Sequence, residues 1–178
     1  LDYSLNGKRP QGPLTLAIDG FYYGVTEDGG TNGWGVLYKF DITTNNRTKL
    51  YDFTNTTGAS ASGQVAQATN GKLYGVANNG GTNSYGVLYE YNLSTNIYTV
   101  KHNFGPGGIY PSWGVLQASN IKLYGVCSSG GGGGDGTFYC YDIGSSSLTN
   151  KDFNTIIAGS NQITNPIVII DKYRYIKQ

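Results

Sequence analysis

The chain has 178 residues, ordinarily one domain, with 12 basic against 11 acidic side chains and only 13% charged residues in all. That near balance leaves no polybasic footprint for nucleic acid or anionic lipid, and the longest aliphatic run, Ile167-Val168-Ile169-Ile170, is far below the roughly 18 residues that cross a bilayer. Neither nucleic acid binding nor membrane insertion is expected, and a composition rich in Gly, Asn, Thr and Ser suits short strands joined by turns rather than helices.

One unit is printed three times. Tyr-Gly pairs fall at Tyr23-Gly24, Tyr74-Gly75 and Tyr124-Gly125, a period of 51 and then 50 residues, which points to a repeat architecture of kelch length. Residues 1–17 read as the tail of an earlier copy. Asp2-Tyr3, Pro10 and Leu16-Ala17 superpose on Asn103-Phe104, Pro111 and Gln117-Ala118 at a constant offset of 101.

From there each unit reads as four strands. The first covers Leu14 to Ile18, Val65 to Ala68 and Gly114 to Ala118. A tight turn on Asp19-Gly20, Asn70-Gly71 or Ser119-Asn120 leads to the second, Phe21 to Thr26, Lys72 to Ala77 and Lys122 to Cys127. Asp-Gly and Asn-Gly are strong two-residue hairpin signals. A Gly-rich loop precedes the third strand, Gly35 to Asp41, Gly86 to Asn92 and Gly136 to Asp142, and a polar turn precedes the fourth, Lys49 to Phe53, Tyr98 to Phe104 and Leu148 to Phe153. After Pro166 the pattern restarts: Ile170-Asp171-Lys172-Tyr173 echoes Ile18-Asp19-Gly20-Phe21.

Four antiparallel strands in about 50 residues make a propeller blade. The expected fold is therefore all-β, a kelch-like β-propeller of about three and a half blades belonging to a larger ring. Repeats are placed at 14–63, 64–113 and 114–165, with partial blades at 1–13 and 166–178. The second and third strands are apolar on both sides of their alternation, so both sheet faces must be covered, which stacking between blades achieves. Open ends would leave terminal faces and edges exposed. Further repeats of a parent chain, or a partner protein, are expected to cover them.

The stretch Gly71-Lys72-Leu73-Tyr74-Gly75-Val76-Ala77, then Gly80-Gly81 and Gly86-Val87-Leu88-Tyr89, followed by Phe104, Gly107-Gly108, Pro111 and Leu116, resembles the GloVer-type tandem repeat of bacterial extracellular proteins. The resemblance implies a kelch-like propeller in a large exported or cell-surface chain and carries no agreed activity. The sequence departs from that pattern at Val76-Ala77 and Val126-Cys127, where a Thr pair is usual, and at Ile176, where Gly is.

Repetition separates scaffold from specialisation. Asp2, Asp52 and Asp152 share one repeat position, Asp41 and Asp142 another, and Asp19 and Asp171 a third, which leaves Glu27, Asp28, Glu90 and Asp135 outside the pattern. Glu27 and Asp28 are adjacent at a Gly-rich loop, a solvated arrangement more than the separated carboxylate pair that glycoside hydrolysis needs. Trp34 aligns with Tyr85 and Asp135 on those loops, and an exposed ring there offers a rigid apolar face for a sugar or a protein; otherwise each ring folds back over its own third strand. Trp113 stands where the other copies have Gly12 and Gly63, as a plug near the inner strand or as an inter-blade contact.

Gly130 to Asp135 matches a calcium-repeat pattern that requires tandem copies, and Asp135 alone supplies too few oxygens, so no metal or other cofactor is expected. His102 reads as an exposed position without a triad partner. If residue 127 pairs with 136, Cys127 and Cys140 lie on one face about 13 Å apart, too far for a disulfide, and are read as free and buried. The function expected is non-enzymatic: an exported module that binds a glycan or protein through Trp34, Tyr85, Glu27, Asp28, Asp135 and Trp113. The alternative is a catalytic or non-catalytic propeller of a polysaccharide-degrading enzyme.

Overall fold

The computed structural model describes residues 3–153. Among the described residues, twelve strands form three successive four-stranded antiparallel blades. The first holds β1 (Lys8–Leu16), β2 (Tyr22–Asp28), β3 (Val36–Asp41) and β4 (Asn46–Asp52); the second β5 (Ala59–Gln67), β6 (Leu73–Asn79), β7 (Val87–Asn92) and β8 (Ile97–Asn103); the third β9 (Ile109–Gln117), β10 (Lys122–Ser129), β11 (Thr137–Asp142) and β12 (Ser147–Asp152). The protein is all-β with propeller blades. The partial blade expected at 166–178 lies outside the described residues.

The repeated Tyr-Gly pair has a structural reason. The tyrosine hydroxyl of the second strand meets the Asx residue of the preceding turn: Tyr23 Oη donates to Asp19 Oδ2 at 2.6 Å, and Asn70 and Asn120 donate to Tyr74 and Tyr124 at 2.9 and 2.7 Å. The same Asx residue accepts the amide of Phe21, Lys72 or Lys122, closing the turn. The glycine that follows is required because a tyrosine of the third strand pairs with it, Gly24 with Tyr38, Gly75 with Tyr89 and Gly125 with Tyr139. A Cβ at those glycines would lie 2.2–2.7 Å from the tyrosine hydroxyl oxygen.

Stacking the blades buries both faces of the middle one. Tyr23, Val25, Leu37 and Phe53 pack on Leu73, Ala77, Val87, Tyr89 and Tyr91; on the other side Tyr74, Val76, Leu88 and Phe104 pack on Leu123, Cys127, Tyr139 and Tyr141. At about 1.5–3 kcal/mol for each fully buried large side chain, these seams outweigh any exposed ion pair at ~0–1 kcal/mol. Tyr51 stacks on Tyr98 at 3.8 Å across the rim of the first seam. The blades are also pinned at their lower turns, where Gln67 and Gln117 accept the amides of Ile18 and Thr69 from the preceding blade, both at 2.8 Å.

The inner strands are longer than the sequence predicts. They begin at Lys8, Ala59 and Ile109 rather than at Leu14, Val65 and Gly114. Each is the edge of its blade, so Pro10 and Pro111 cost no ladder bond there, and each is interrupted by a bulge between its two paired halves. β1 thus belongs to the first complete blade instead of to a partial one over 1–13. Residues Tyr3–Asn6 form a 3-10 turn.

Other differences are local. The β10–β11 hairpin pairs Cys127 with Thr137 and Tyr124 with Cys140, one residue from the expected register, which puts the two cysteines on opposite faces. Both are free, with Cys127 buried and Cys140 half-buried, and burial pushes the Cys127 thiol up to about 12. Two thiols should titrate after denaturation without reductant; in the native protein Cys127 should react with a thiol reagent far more slowly than Cys140, and equal rates would contradict this packing. His102 is half-buried, not exposed, edge-on to Phe104 at 5.0 Å, and burial lowers its pKa.

The turn between the first two strands needs a residue at positive φ, supplied by Gly20 and Gly71 but by Ile121 in the third blade, at φ 62°. A β-branched residue in that region is strained, and the Ile121 side chain is exposed, so it recovers little by burial. Ile121→Gly should raise stability by about 1 kcal/mol, read by denaturant unfolding. A loss would show that the side chain makes a contact worth more than the strain.

Candidate functional site

The inner strands meet at their bulges. A Cβ on Gly12 would lie 2.6 Å from the backbone of Gly63, and one on Gly63 would lie 2.1 Å from the backbone of Trp113. Backbone therefore packs on backbone from blade to blade, which is why two of the three copies keep glycine, both at positive φ. The third copy places Trp113 in that conformation, at φ 68°, with 82% of its surface exposed. The inter-blade contact considered for Trp113 does not bury its side chain. Trp113 shares this conformation with Ile121, at φ 62°, and Tyr110, at φ 57°, and is the most exposed of the three.

Around this point runs an open cleft of about 350 Å³ lined by Gln11, Pro13, Ser62, Asn78, Ser112 and Trp113. Gln11, Ser62 and Ser112 occupy one repeat position, one residue before Gly12, Gly63 and Trp113; Glu27, Asn78 and Ser128 occupy another. Hydrogen bonds join the two sets. Gln11 Nε2 donates to Glu27 Oε2 at 2.8 Å, Ser62 Oγ to Asn78 Oδ1, and Asn78 Nδ2 to Ser112 Oγ at 3.3 Å. Ser112 and Ser128 both donate to the Tyr110 carbonyl, at 2.9 and 3.2 Å.

The remaining residues singled out from the sequence divide by position. Glu27 and Asp28 end β2 and both meet Arg9, at 3.3 and 2.6 Å, so the adjacent carboxylates share one cation at the rim of the cleft. Trp34, Tyr85 and Asp135 sit on the three Gly-rich loops, one per blade, and the structure does not bring them together. The Trp34 and Tyr85 carbonyls accept the amides of Ser60 and Tyr110 at the start of the next blade, at 3.1 and 3.0 Å. The Tyr85 ring meets Tyr110 of the next blade edge-on at 6.3 Å and packs on the seam that holds Leu88 of its own third strand together with residues of the next blade. Trp34 is 43% exposed and Asp135 is exposed. No cluster of three or more His, Cys, Asp or Glu that could hold a metal occurs among the described residues.

Those loops are held by the last residue of the fourth strand. Asp52 accepts the Thr31 amide at 2.7 Å and pairs with Lys49 at 2.7 Å; Asn103 accepts the Thr82 amide at 2.8 Å, and Asp152 the Gly132 amide at 2.8 Å. Burial acts to raise the Asp52 pKa, but Lys49 and Thr31 outweigh it and hold the carboxyl below its usual value. A depressed carboxyl contributes stability above the unfolded pKa of about 4 that is lost as pH falls through the folded one. The Thr31 amide resonance should therefore titrate in acid below the ordinary carboxylate range while the Thr82 amide, anchored by non-titrating Asn103, does not move. Equal titration of both amides would contradict the anchoring.

The Gloeobacter/Verrucomicrobia repeat matches residues 2–171. No curated protein matches the chain. Among solved structures, TolB from Acinetobacter baumannii is similar at 19% identity with a TM-score of 0.52, over 82% of this chain and 32% of that one; the chain thus spans about a third of TolB, and the likeness concerns the fold. A Mycobacterium tuberculosis puromycin-hydrolyzing peptidase aligns at 14% identity and a TM-score of 0.49, over 73% of this chain and 18% of that one. An auxiliary nutrient binding protein from Bacteroides thetaiotaomicron VPI-5482 aligns at 17% identity and a TM-score of 0.38, over 76% of this chain and 32% of that one.

Proposed function

The chain belongs to the Gloeobacter/Verrucomicrobia repeat family, and from that membership we propose that it is a non-enzymatic binding module of an exported or cell-surface bacterial protein, holding a glycan or protein at the cleft beside Trp113. One observation carries the reading: a bulky, exposed indole stands at a strained position where the repeat otherwise keeps glycine. Large aromatic rings that remain exposed on a rigid scaffold supply contact area at little entropic cost. The carboxylates nearest the cleft are engaged by Arg9 and Gln11, which favours a binding surface over an acid-base pair.

A second contact is expected at the outer face of the third blade. Leu37, Leu88 and Phe138 share one repeat position; the first two are fully buried by the following blade, and Phe138 is 44% exposed. Further repeats of a parent chain or a partner protein would cover it, as the seams within the chain cover its counterparts.

The binding reading is tested by retention of the protein on insoluble glycans and on bacterial surface preparations. Trp113→Ala should lose most of the retention at an unchanged melting temperature. Tyr85→Ala should lower the melting temperature by several degrees, because that ring packs in a seam. Retention unaffected by Trp113→Ala would remove the cleft from consideration, and release of new reducing ends from a retained polysaccharide would overturn the non-enzymatic reading.

A further inference from the structure

Resting on that binding reading, we infer that the cleft takes an uncharged carbohydrate, with one sugar ring lying on the Trp113 indole and its hydroxyls exchanging hydrogen bonds with Gln11, Ser62, Asn78 and Ser112. The chemistry of the lining leads there. None of the residues lining the cleft carries a charge, and the nearest carboxylate, Glu27, is already matched by Arg9 and Gln11. An anionic or cationic ligand would find no counter-charge inside.

The polar groups that do face the cleft are hydroxyls and amides, each able to donate and accept. Such groups pair with the hydroxyls of a sugar, which also do both. Ser62, Asn78 and Ser112 are linked to one another across two blades, so their orientations are set before a ligand arrives, which lowers the cost of binding. Gly12 and Gly63 contribute backbone to the lining, held by the packing of one inner strand on the next. The indole supplies the matching apolar surface: a large flat face on a residue with few rotatable bonds. Trp113 leaves its ring in solvent beside these polar groups, where a ligand can use it as a platform.

The chain contains two tryptophans, so Trp34→Phe leaves Trp113 as the sole indole reporter. Titrating that variant with neutral oligosaccharides of glucose, xylose, mannose and N-acetylglucosamine should shift its fluorescence with at least one of them. The affinity should change little between about 50 mM and 500 mM salt, because no charge pairing is involved. Calorimetry with the same sugar should show Trp113→Ala weakened about tenfold or more, Trp113→Phe within about threefold of the parent, and Asn78→Ala weakened several-fold. A steep salt dependence, or equal binding by Trp113→Ala, would overturn the inference. Should no neutral oligosaccharide bind at millimolar concentration while Trp113→Ala still loses retention on bacterial surfaces, the carbohydrate inference fails and the binding reading stands with a protein ligand. If Trp113 matters in neither assay, both fail.

Discussion

The fold depends on one contact made three times: a tyrosine of the third strand lying across a glycine of the second. Because the ring occupies the space a side chain would take, the glycine is obligatory and the pairing has only one register. The neighbouring tyrosine, tied to the Asx residue of the turn, fixes the other end of the same strand. Once the second and third strands are locked, their remaining apolar residues fall on faces that can only be buried by another blade, and stacking follows. Repetition of the sequence is thus repetition of a steric requirement.

Within that frame, blades differ where the frame leaves them free. One cross-strand position pair holds Phe21 and Lys39 in the first blade, where the ammonium lies 4.4 Å from the ring centroid, and Lys72 with Glu90 in the second, at 2.8 Å. Burial acts to raise the Glu90 pKa, yet Lys72, Tyr74 and the nearby Lys101 outweigh it and hold the carboxyl low. Tyr74 Oη donates to Glu90 at 2.6 Å, so this buried carboxylate has a hydrogen bond as well as a counter-charge, the condition under which a buried charge is tolerated. In the third blade Lys122 turns instead to Asp142 at 3.2 Å. The backbone requirement is met three times with three different chemistries, which is how a repeat keeps its shape while its copies diverge.

Much of this was legible because period and turn chemistry are local. The Tyr-Gly spacing and the Asp-Gly and Asn-Gly turns placed the middle strands correctly to within a residue or two. The full length of the inner strands is hidden in the sequence because Pro10, Gly12 and Pro13 look like strand breakers, and only their place at a blade edge beside a bulge makes them compatible with a ladder. The cysteine register slipped by one because the Gly130 to Asp135 loop closes on itself through a bridge between its ends, which spacing does not reveal. Trp113 stands out as a break in the repeat. Gln11, Ser62, Asn78 and Ser112 do not, being polar residues of ordinary appearance that only the meeting of the inner strands with β6 brings together; their one visible signal is variation at two repeat positions, that of Gln11, Ser62 and Ser112 and that of Glu27, Asn78 and Ser128.

That meeting point also has a direction. The side chain Gly12 lacks would point at Gly63, and the one Gly63 lacks would point at Trp113, so each step along the axis runs from one blade to the next. At the third step one glycine of the repeat has become a tryptophan, so the last of the three inner strands presents an exposed indole where the first two present only backbone to their neighbour.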